Sequence, residues 1–294
     1  MIPQEKIKHI QKKAKDIRIS IIEMLAQAKS GHPGGPLGMA DVFATVYFHS
    51  LRHDPAHPFM VERDRVVLSN GHICPVLYAT MAHAGYFSVD SLKTLRQFNS
   101  PLQGHPHREF LPALENSSGP LGCGLSQAIG MALVDKREFA SQSNLTYPRY
   151  IYCFMGDGEQ NEGEVWEAVL MAPKEKLGNI IAFIDRNHIQ IDGDTEDIMP
   201  LHPLDKKYEA FNWHVQTIDG HDIQAIADAI ENAKKETEKP SVIIAKTTPG
   251  KGVSFMENRY EWHGTPPGIS DVAGAPEKTK QTEVALQELR AIVI

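Results

Sequence analysis

Two polar residues, 30 positions apart (187 − 157), each follow an apolar segment of this 294-residue chain. Asp157 lies between Gly156 and Gly158, directly after the segment YIYCFM, and Asn187 comes shortly after the segment NIIAFID. If these segments are neighbouring strands, both side chains reach one edge of a sheet. Carboxylate and amide oxygens are hard ligands that suit Mg²⁺ or Ca²⁺, and the two glycines let the main chain approach a bulky anion closely. The pattern predicts a site for a divalent cation and a phosphate group.

Four histidines occur in loops rich in glycine or proline. They are His32 in SGHPGGPLG, His72 in SNGHICP, His105 in QGHPHRE and His263 in EWHG. Imidazoles can accept or donate a proton near pH 7 and can therefore serve as acids or bases in a reaction. A single histidine beside a glycine is more often a hydrogen-bonded loop residue than a catalyst, so the interpretation depends on the four together. A fifth loop, SSGPLGCGLSQAIG, is rich in glycine and opens a helix.

Alternating strands and helices are expected to position these loops. An amphipathic helix with apolar residues recurring from Ile7 to Ala28 must stop near Gly31, because prolines and glycines follow. Short β-branched runs predict strands at 65–69, 149–155, 179–185, 213–218 and 241–246, and helices are predicted at 39–49, 75–84, 125–136, 165–171 and 223–235. The order predicts an α/β fold, a mostly parallel β-sheet with helices on both faces. Such folds bind ligands beyond the carboxyl ends of their strands.

Composition excludes several classes of protein. Hydrophobic residues are 41% and charged residues 23%, which is ordinary globular usage and excludes a disordered chain. Lys plus Arg is 30 against 37 for Asp plus Glu, so the net charge of −7 gives no reason to expect binding to nucleic acid or to an anionic membrane. The three cysteines lack metal-ligand spacing and suit a reducing compartment, so a cytoplasmic location is expected.

The Gly-Asp-Gly segment with its later asparagine resembles the signature of thiamine-diphosphate enzymes. The four histidine loops, the glycine-rich loop and the segments WHVQTIDGHD and TTPGKGVSFME resemble the amino-terminal, diphosphate-binding half of transketolase. This resemblance extends from about His32 to His263. It implies a thiamine-diphosphate-binding fold. It also implies a transferase that moves a two-carbon ketol unit from a ketose phosphate to an aldose phosphate, as in the pentose phosphate pathway.

The resemblance also implies a ligand set for thiamine diphosphate and its metal. The metal, expected to be Mg²⁺ with Ca²⁺ or Mn²⁺ as alternatives, would be held by Asp157, the Asn187 side chain and the main-chain carbonyl of Ile189. Glu162 would lie near the metal. The residues implied to bind the cofactor are His72, Gly119, Leu121, Gly156, Asp157, Gly158, Glu162, Asn187, Ile189 and His263.

Catalytic roles are implied for the four histidines. His32 and His263 would handle the proton on the reacting carbonyl and hydroxyl oxygens. His105 would bind the ketol hydroxyls, and His72 would lie by the diphosphate and orient the substrate. The chain departs from the family pattern directly after GHP. The family often has an acidic residue at the position that His107 occupies here, which leaves open the local shape of the donor site.

The resemblance implies that half of the active site is absent from this chain. Thiamine-diphosphate enzymes use a second domain, which binds the aminopyrimidine ring and supplies a glutamate to it. Residues 1–264 are expected to form the diphosphate-binding domain, and residues 265–294 are too short for another domain and would extend the same one. The expected partner is therefore a separate carboxy-terminal transketolase subunit, in a heterotetramer of two copies of each chain. A truncated piece of a longer protein, a half of a deoxyxylulose-phosphate synthase-like enzyme and a non-catalytic cofactor-binding regulatory partner remain alternatives.

Overall fold

Five parallel strands form the central sheet of the computed structural model, which describes residues 2–111, 113–141 and 149–294. From one edge to the other, the strands are β1 (Arg65–Leu68), β2 (Ile151–Gly156), β3 (Ile180–Arg186), β7 (Ser241–Lys246) and β6 (His214–Asp219). A short antiparallel pair, β4 (Ile189–Gln190) and β5 (Gly193–Asp194), follows β3. The carboxyl ends of β1, β2 and β3 therefore lie side by side at one edge of the sheet.

Helices cover both faces of this sheet. In chain order they are α1 (Gln4–Ala28), α2 (Gly34–Thr45), α3 (Cys74–Ala84), α4 (Cys123–Ser141), α5 (Gly163–Lys174), α6 (Thr195–Ile198), α7 (Leu204–Ala210), α8 (Ile223–Lys235) and α9 (Gln281–Ala291). One face packs against α1, α2, α3 and α8, and α9 lies in the same layer. The other face packs against α4, α5 and α7.

Strand β2 shows how the two hydrophobic layers arise from the sequence. Successive side chains of a strand point to opposite faces of a sheet. Tyr152 and Phe154 accordingly enter the layer beneath α1 and α2, whereas Cys153 and Met155 enter the layer beneath α4 and α5. The ring of Phe154 stacks on Phe43 of α2, with ring centroids 4.3 Å apart. Because both faces are buried, the strand is continuously apolar, which is why the sequence predicts a parallel sheet here.

The predicted α/β architecture is confirmed, and the predicted strands agree with the observed ones to within two residues at either end. The start predicted for α2 is wrong: the helix begins at Gly34 rather than at residue 39. The Gly-Gly-Pro sequence forms its first turn. Proline is tolerated there, because the N–H group that Pro36 lacks would have no partner within the helix. Helix α2 also ends earlier than predicted, at Thr45, and continues as a π-helical turn from Val46 to Ser50.

The last thirty residues pack against the first helix. Ala285 and Leu289 of α9 are fully buried. Lys15 of α1 donates hydrogen bonds from its Nζ atom to the main-chain oxygens of Arg290 and Ile292, each over 2.7 Å. The division of the chain at residue 264 stays a prediction. None of the helices within the described residues combines the length and the hydropathy that a membrane-spanning segment needs.

Candidate active site

The predicted site residues lie around one cavity at the carboxyl ends of β1, β2 and β3. The cavity has a volume of about 450 Å³. Every predicted residue lines it: His32, His72, His105, Gly119, Leu121, Gly156, Asp157, Gly158, Glu162, Asn187, Ile189 and His263. These residues are spread over more than 230 positions of the chain, so their shared location is a result of the fold.

Asp157 is held at the end of β2 by four donors. Its Oδ1 atom accepts a hydrogen bond from the N–H of Gly158 over 2.7 Å. Its Oδ2 atom accepts from the N–H of His188 at 2.8 Å, from Nη1 of Arg186 at 3.1 Å and from Oγ1 of Thr195 at 3.3 Å. Burial raises the pKa of this carboxyl, and the Arg186 cation and the N–H donors oppose that effect. The donors leave Oδ1 with a single protein partner, and this oxygen can take a cation as well.

The amide of Asn187 is oriented by a second buried carboxyl. Its Nδ2 atom donates to Oδ2 of Asp185 over 2.8 Å, and its Oδ1 atom accepts from the N–H of Ile189 over 2.9 Å. Asp185 also accepts a hydrogen bond from Thr247. Burial raises the pKa of Asp185 to about 7, and the neighbouring charge of Asp157 adds to the effect. Because the amide nitrogen is engaged by an acceptor, the Asn187 oxygen is the atom left to serve as a ligand.

Unpaired buried polar atoms show that the cavity suits a polar ligand. Both side-chain polar atoms of Asn70, and Oε1 of Gln190, are buried without a hydrogen-bond partner among the described residues. Such atoms are rare in folded proteins unless a ligand or water satisfies them. Within the described ranges, no group of three or more His, Cys, Asp or Glu side chains could hold a metal. A metal here would therefore use one carboxylate, one amide oxygen, main-chain oxygen and cofactor oxygens, a set that suits Mg²⁺.

Three of the four histidines form a compact cluster. The ring centroids of His32 and His72 are 5.1 Å apart, those of His72 and His263 are 5.2 Å apart, and those of His32 and His263 are 5.4 Å apart. Glycines allow the loops to meet: a Cβ atom on Gly34 would lie 3.1 Å from the main-chain oxygen of Trp262. Backbone contact between the first turn of α2 and the segment around Trp262 thus brings His32 and His263 together.

His105 lines the same cavity, near Gly119. A Cβ atom on Gly119 would lie 3.9 Å from the His105 ring. The loop that carries His105 is held by Arg96, whose guanidinium donates to the main-chain oxygen of Gly104 over 3.3 Å and to Oγ of Ser30 over 2.9 Å. Arg96 thereby connects the loops that precede His105 and His32.

Burial lowers the pKa of all four imidazoles. The pKa of His32 falls to about 4, mainly by burial and further through the charges of His263 and Arg96. Burial also holds the pKa of His72 well below its ordinary value and lowers the pKa of His263. The pKa of His105 is lowered by burial and by Arg96. The cluster is therefore neutral at pH 7, and each ring can offer one donor and one acceptor.

Several cavity residues lie outside the sequence patterns: Asn70, Glu159, Asp185, Gln190 and Ile191. The first three lie two positions from His72, Asp157 and Asn187, so proximity to a predicted ligand is the signal that could have found them. His107, at the departure from the family pattern, stacks on Phe110 with ring centroids 4.4 Å apart and is absent from the cavity lining.

A protein-family model described as the thiamine diphosphate binding domain of transketolase matches residues 9–283. This range covers nearly the whole chain. The chain belongs to the transketolase family. The predicted family, the thiamine-diphosphate-binding α/β fold and the class of transferase are confirmed. The chain covers the amino-terminal, thiamine-diphosphate-binding domain of transketolases.

Two similar relatives are subunits that the chain matches over nearly their full length. One is the 6-deoxy-6-sulfo-D-fructose transketolase subunit SqwG of Clostridium sp. (strain MSTE9), 42% identical over 86% of this chain and 90% of the relative. The other is an apulose-4-phosphate transketolase subunit of Actinobacillus succinogenes, 39% identical over 96% of both proteins. By contrast, the chain spans only 41% of transketolase 1 of Pasteurella multocida, with 38% identity over 91% of its own residues.

Solved transketolase structures also match this chain over less than half of their own length. A crystal structure of transketolase from Pichia stipitis superposes with a TM-score of 0.84 and 35% identity, covering 96% of this chain and 44% of that protein. The transketolase of Campylobacter jejuni gives a TM-score of 0.83 with 33% identity, covering 98% of this chain and 48% of that protein. The fold described above is therefore that of the amino-terminal part of a transketolase.

Proposed function

We propose that this chain is the diphosphate-binding subunit of a two-chain transketolase that transfers a ketol unit from a ketose phosphate to an aldose phosphate. The main support is that every residue the transketolase pattern implicates lines one cavity. A second support is the near-complete match to two relatives that are named as transketolase subunits. A non-catalytic cofactor-binding protein would need only the metal and diphosphate ligands, so the four cavity histidines favour an enzyme.

Thiamine diphosphate and Mg²⁺ are the proposed cofactors. Asp157, the Asn187 side-chain oxygen and the main-chain oxygen of Ile189 would hold the metal, with Ca²⁺ or Mn²⁺ as alternatives. The residues proposed to contact the cofactor or lie beside its metal are His72, Gly119, Leu121, Gly156, Gly158, Glu162 and His263. When bound, thiamine diphosphate supplies the carbon centre that takes up the two-carbon unit. The unpaired atoms of Asn70 and Gln190 support a polar ligand in this place.

The neutral histidines would handle protons on the substrate oxygens. A neutral imidazole can accept a proton from a hydroxyl and can donate a hydrogen bond from its other nitrogen. We assign proton transfer at the reacting carbonyl and hydroxyl oxygens to His32 and His263, and binding of the ketol hydroxyls to His105. His72 would contact the diphosphate and orient the substrate. Each positioned acid–base group of this kind contributes about 10²–10⁴-fold to a rate.

A separate carboxy-terminal transketolase subunit is the proposed partner, in a heterotetramer of two copies of each chain. It would supply the wall that binds the aminopyrimidine ring, together with the glutamate expected there. Exposed apolar side chains at the cavity rim support a covering partner: Ile191 is 65% exposed and Leu121 is 37% exposed. We place the complex in the cytoplasm, acting on sugar phosphates of the kind found in the pentose phosphate pathway.

The test is reconstitution with a candidate carboxy-terminal subunit, followed by a ketol-transfer assay. Donors to compare are xylulose 5-phosphate, 6-deoxy-6-sulfo-D-fructose and apulose 4-phosphate, because the two subunit relatives are named for different substrates. Transfer from at least one donor is expected only with both chains and with thiamine diphosphate and Mg²⁺. Full activity of this chain alone would contradict the two-chain assignment. Turnover of pyruvate with glyceraldehyde phosphate instead would favour a deoxyxylulose-phosphate synthase-like half.

Two substitutions separate cofactor binding from turnover. Asp157→Ala should abolish metal-dependent binding of thiamine diphosphate to the complex. His105→Ala should leave cofactor binding intact and lower turnover by about 10²-fold or more. His57→Ala is the matched control, because the His57 side chain is 76% exposed and lies outside the cavity. Loss of cofactor binding in His105→Ala would contradict the role given to His105.

A further inference from the structure

Glu159 is a buried carboxyl in the wall of the cofactor cavity. It lies in the 3-10 turn Gly158–Asn161 that follows β2, and only 2% of its surface is exposed. Burying a carboxyl is costly unless it is paired or hydrogen-bonded. No salt bridge to Glu159 occurs among the described residues; instead, hydrogen-bond donors surround it.

The donors come from three different segments of the chain. Oε1 of Glu159 accepts a hydrogen bond from the hydroxyl of Ser69, just after β1, and from the N–H of Gly122 over 2.8 Å. Oε2 accepts from the N–H of Gly156, at the end of β2, over 2.9 Å. The Ser69 hydroxyl also accepts from the N–H of Gly124 over 3.0 Å. One side chain thus connects the ends of two strands to the beginning of α4.

These connections suit the electrostatics of a helix end. The first N–H groups of a helix have no partner inside the helix, and a carboxylate beside them is favourable. The N–H groups of Gly122 and Gly124, at the start of α4, are occupied by Glu159 and Ser69 in this way. The packing there leaves no room for a side chain at position 124, because a Cβ atom on Gly124 would lie 2.4 Å from the Cβ atom of Ser69.

The connected segments form two walls of the cavity. Gly119 and Leu121 line it from the loop before α4, and Gly156 and Gly158 line it from the turn after β2. In this arrangement Glu159 acts as an acceptor only. Its carboxyl is the shared acceptor through which the two walls are hydrogen-bonded to each other.

We propose that Glu159 is a positioning residue that sets the spacing between the 119–122 loop and the 156–158 turn, and so preforms the cofactor site. The proposal rests on the function proposed above, because it takes thiamine diphosphate as the ligand of this cavity. The protection of the two walls from amide hydrogen exchange can be measured without any cofactor.

The principal variant is Glu159→Gln, which keeps the size of the side chain and replaces one acceptor oxygen by a donor. That nitrogen must face an N–H donor or the Ser69 hydroxyl, so at least one hydrogen bond is lost. With the complete two-chain complex and Mg²⁺, we expect the Kd for thiamine diphosphate to rise about tenfold to a hundredfold, as for a buried polar group left unpaired. The KM for the cofactor should rise in parallel, and kcat at saturating cofactor should change little. Glu231→Gln, on the exposed side of α8, is the matched control and should leave both constants unchanged.

Amide hydrogen exchange on the full chain without cofactor supplies a second measurement. Exchange should accelerate at residues 119–124 and 156–158 in Glu159→Gln and stay at the wild-type rate elsewhere. Ser69→Ala removes one donor and leaves the carboxyl in place, so it should give a smaller change in the same segments. If Glu159→Gln fails to fold, Ser69→Ala carries the test.

The outcomes separate the two proposals. A wild-type complex that does not bind thiamine diphosphate would refute the proposed function, and the exchange data would still test the role of Glu159. A wild-type Kd and wild-type exchange in the folded variants would overturn the positioning role. A lower melting temperature with unchanged Kd and unchanged exchange at 119–124 would also overturn it, because that pattern indicates a contribution to stability alone.

Discussion

The cluster of His32, His72 and His263 should stay uncharged at pH values where isolated histidines are protonated. The ring centroids are 5.1 to 5.4 Å apart. Two unit charges at about 5 Å repel by about 3 kcal/mol at an effective dielectric constant of about 20. Once one ring is protonated, that repulsion lowers the pKa of a neighbouring ring by about two. Burial acts in the same direction, and the pKa of His32 is about 4.

The lowered histidine pKa values make the stability of the fold depend on pH, because the folded and unfolded states bind different numbers of protons. A histidine in the unfolded chain has a pKa of about 6.5. Between that value and the lower folded pKa, the unfolded state binds more protons than the folded state, so the free energy of unfolding falls as the pH falls. For His32 the loss begins below about pH 6.5, is complete near pH 4 and amounts to about 3 kcal/mol at most. His72 and His263 contribute in the same direction.

The assay is a pH titration of the cofactor-free chain labelled with ¹³C-histidine, followed by ¹H–¹³C correlation spectra. The His32→Asn variant removes one ring, so the pKa of His72 should rise, since His32 contributes to its lowering. Urea unfolding at pH 8 and pH 5 should show a smaller loss of stability for His32→Asn than for the wild type. His57→Asn is the control, because this exposed ring stands apart from the cluster.

Two results would refute the reasoning. The first is titration of all three cluster rings near pH 6.5, which would mean that neither burial nor mutual repulsion acts on them. The second is an identical dependence of stability on pH in His32→Asn and the wild type. Either outcome would also remove the physical basis for assigning neutral imidazoles to proton transfer in the proposed reaction.

Three further predictions concern packing and charge. Gly124→Ala places a Cβ atom 2.4 Å from a side chain at the end of β1 and should cost about 2 kcal/mol or more in urea unfolding. Gly130→Ala, on the same helix with open space around it, should instead stabilise by about 0.5–1 kcal/mol, and equal effects would contradict the packing. Arg18→Met leaves Asp41 buried without its arginine and should cost about 3 kcal/mol, whereas an unchanged urea midpoint would show that the pair is dispensable. Arg96→Gln should raise the pKa of the neighbouring imidazoles in the titration above, and unchanged values would exclude its charge as a cause.

The fold could be predicted closely because its signals are local. Buried parallel strands are continuously apolar, and glycine, proline and polar residues mark their ends. The start of α2 was an exception. A Gly-Gly-Pro sequence is unfavourable in the middle of a helix, so it indicates a loop. Gly34 packs against the main chain at Trp262, and no local pattern reveals this contact between distant segments.

The site could be predicted where a residue type and its distance from a strand end together define a ligand. Asp157 and Asn187 follow adjacent strands, so their convergence depends only on strand order. Glu159 and Asn70 match no ligand pattern of this kind, and only their proximity to Asp157 and His72 points to them. The hydrogen bond from Ser69 to Glu159 joins residues 90 positions apart, and its existence depends on the packing of α4 against β1 and β2.

The sequence by itself determined the family, the parallel α/β fold and most of the residues that line the cavity. These depend on apolar periodicity and on short motifs, which are local properties of the chain. Only the tertiary structure decided which groups support those residues. Examples are Arg96, which is hydrogen-bonded to the loop of His105, and Asp185, which accepts a hydrogen bond from Asn187. Glu159, which accepts a hydrogen bond from Gly122, is a third example. It also decided that the histidines are neutral, because their pKa values depend on burial and on distances between rings that belong to separate loops.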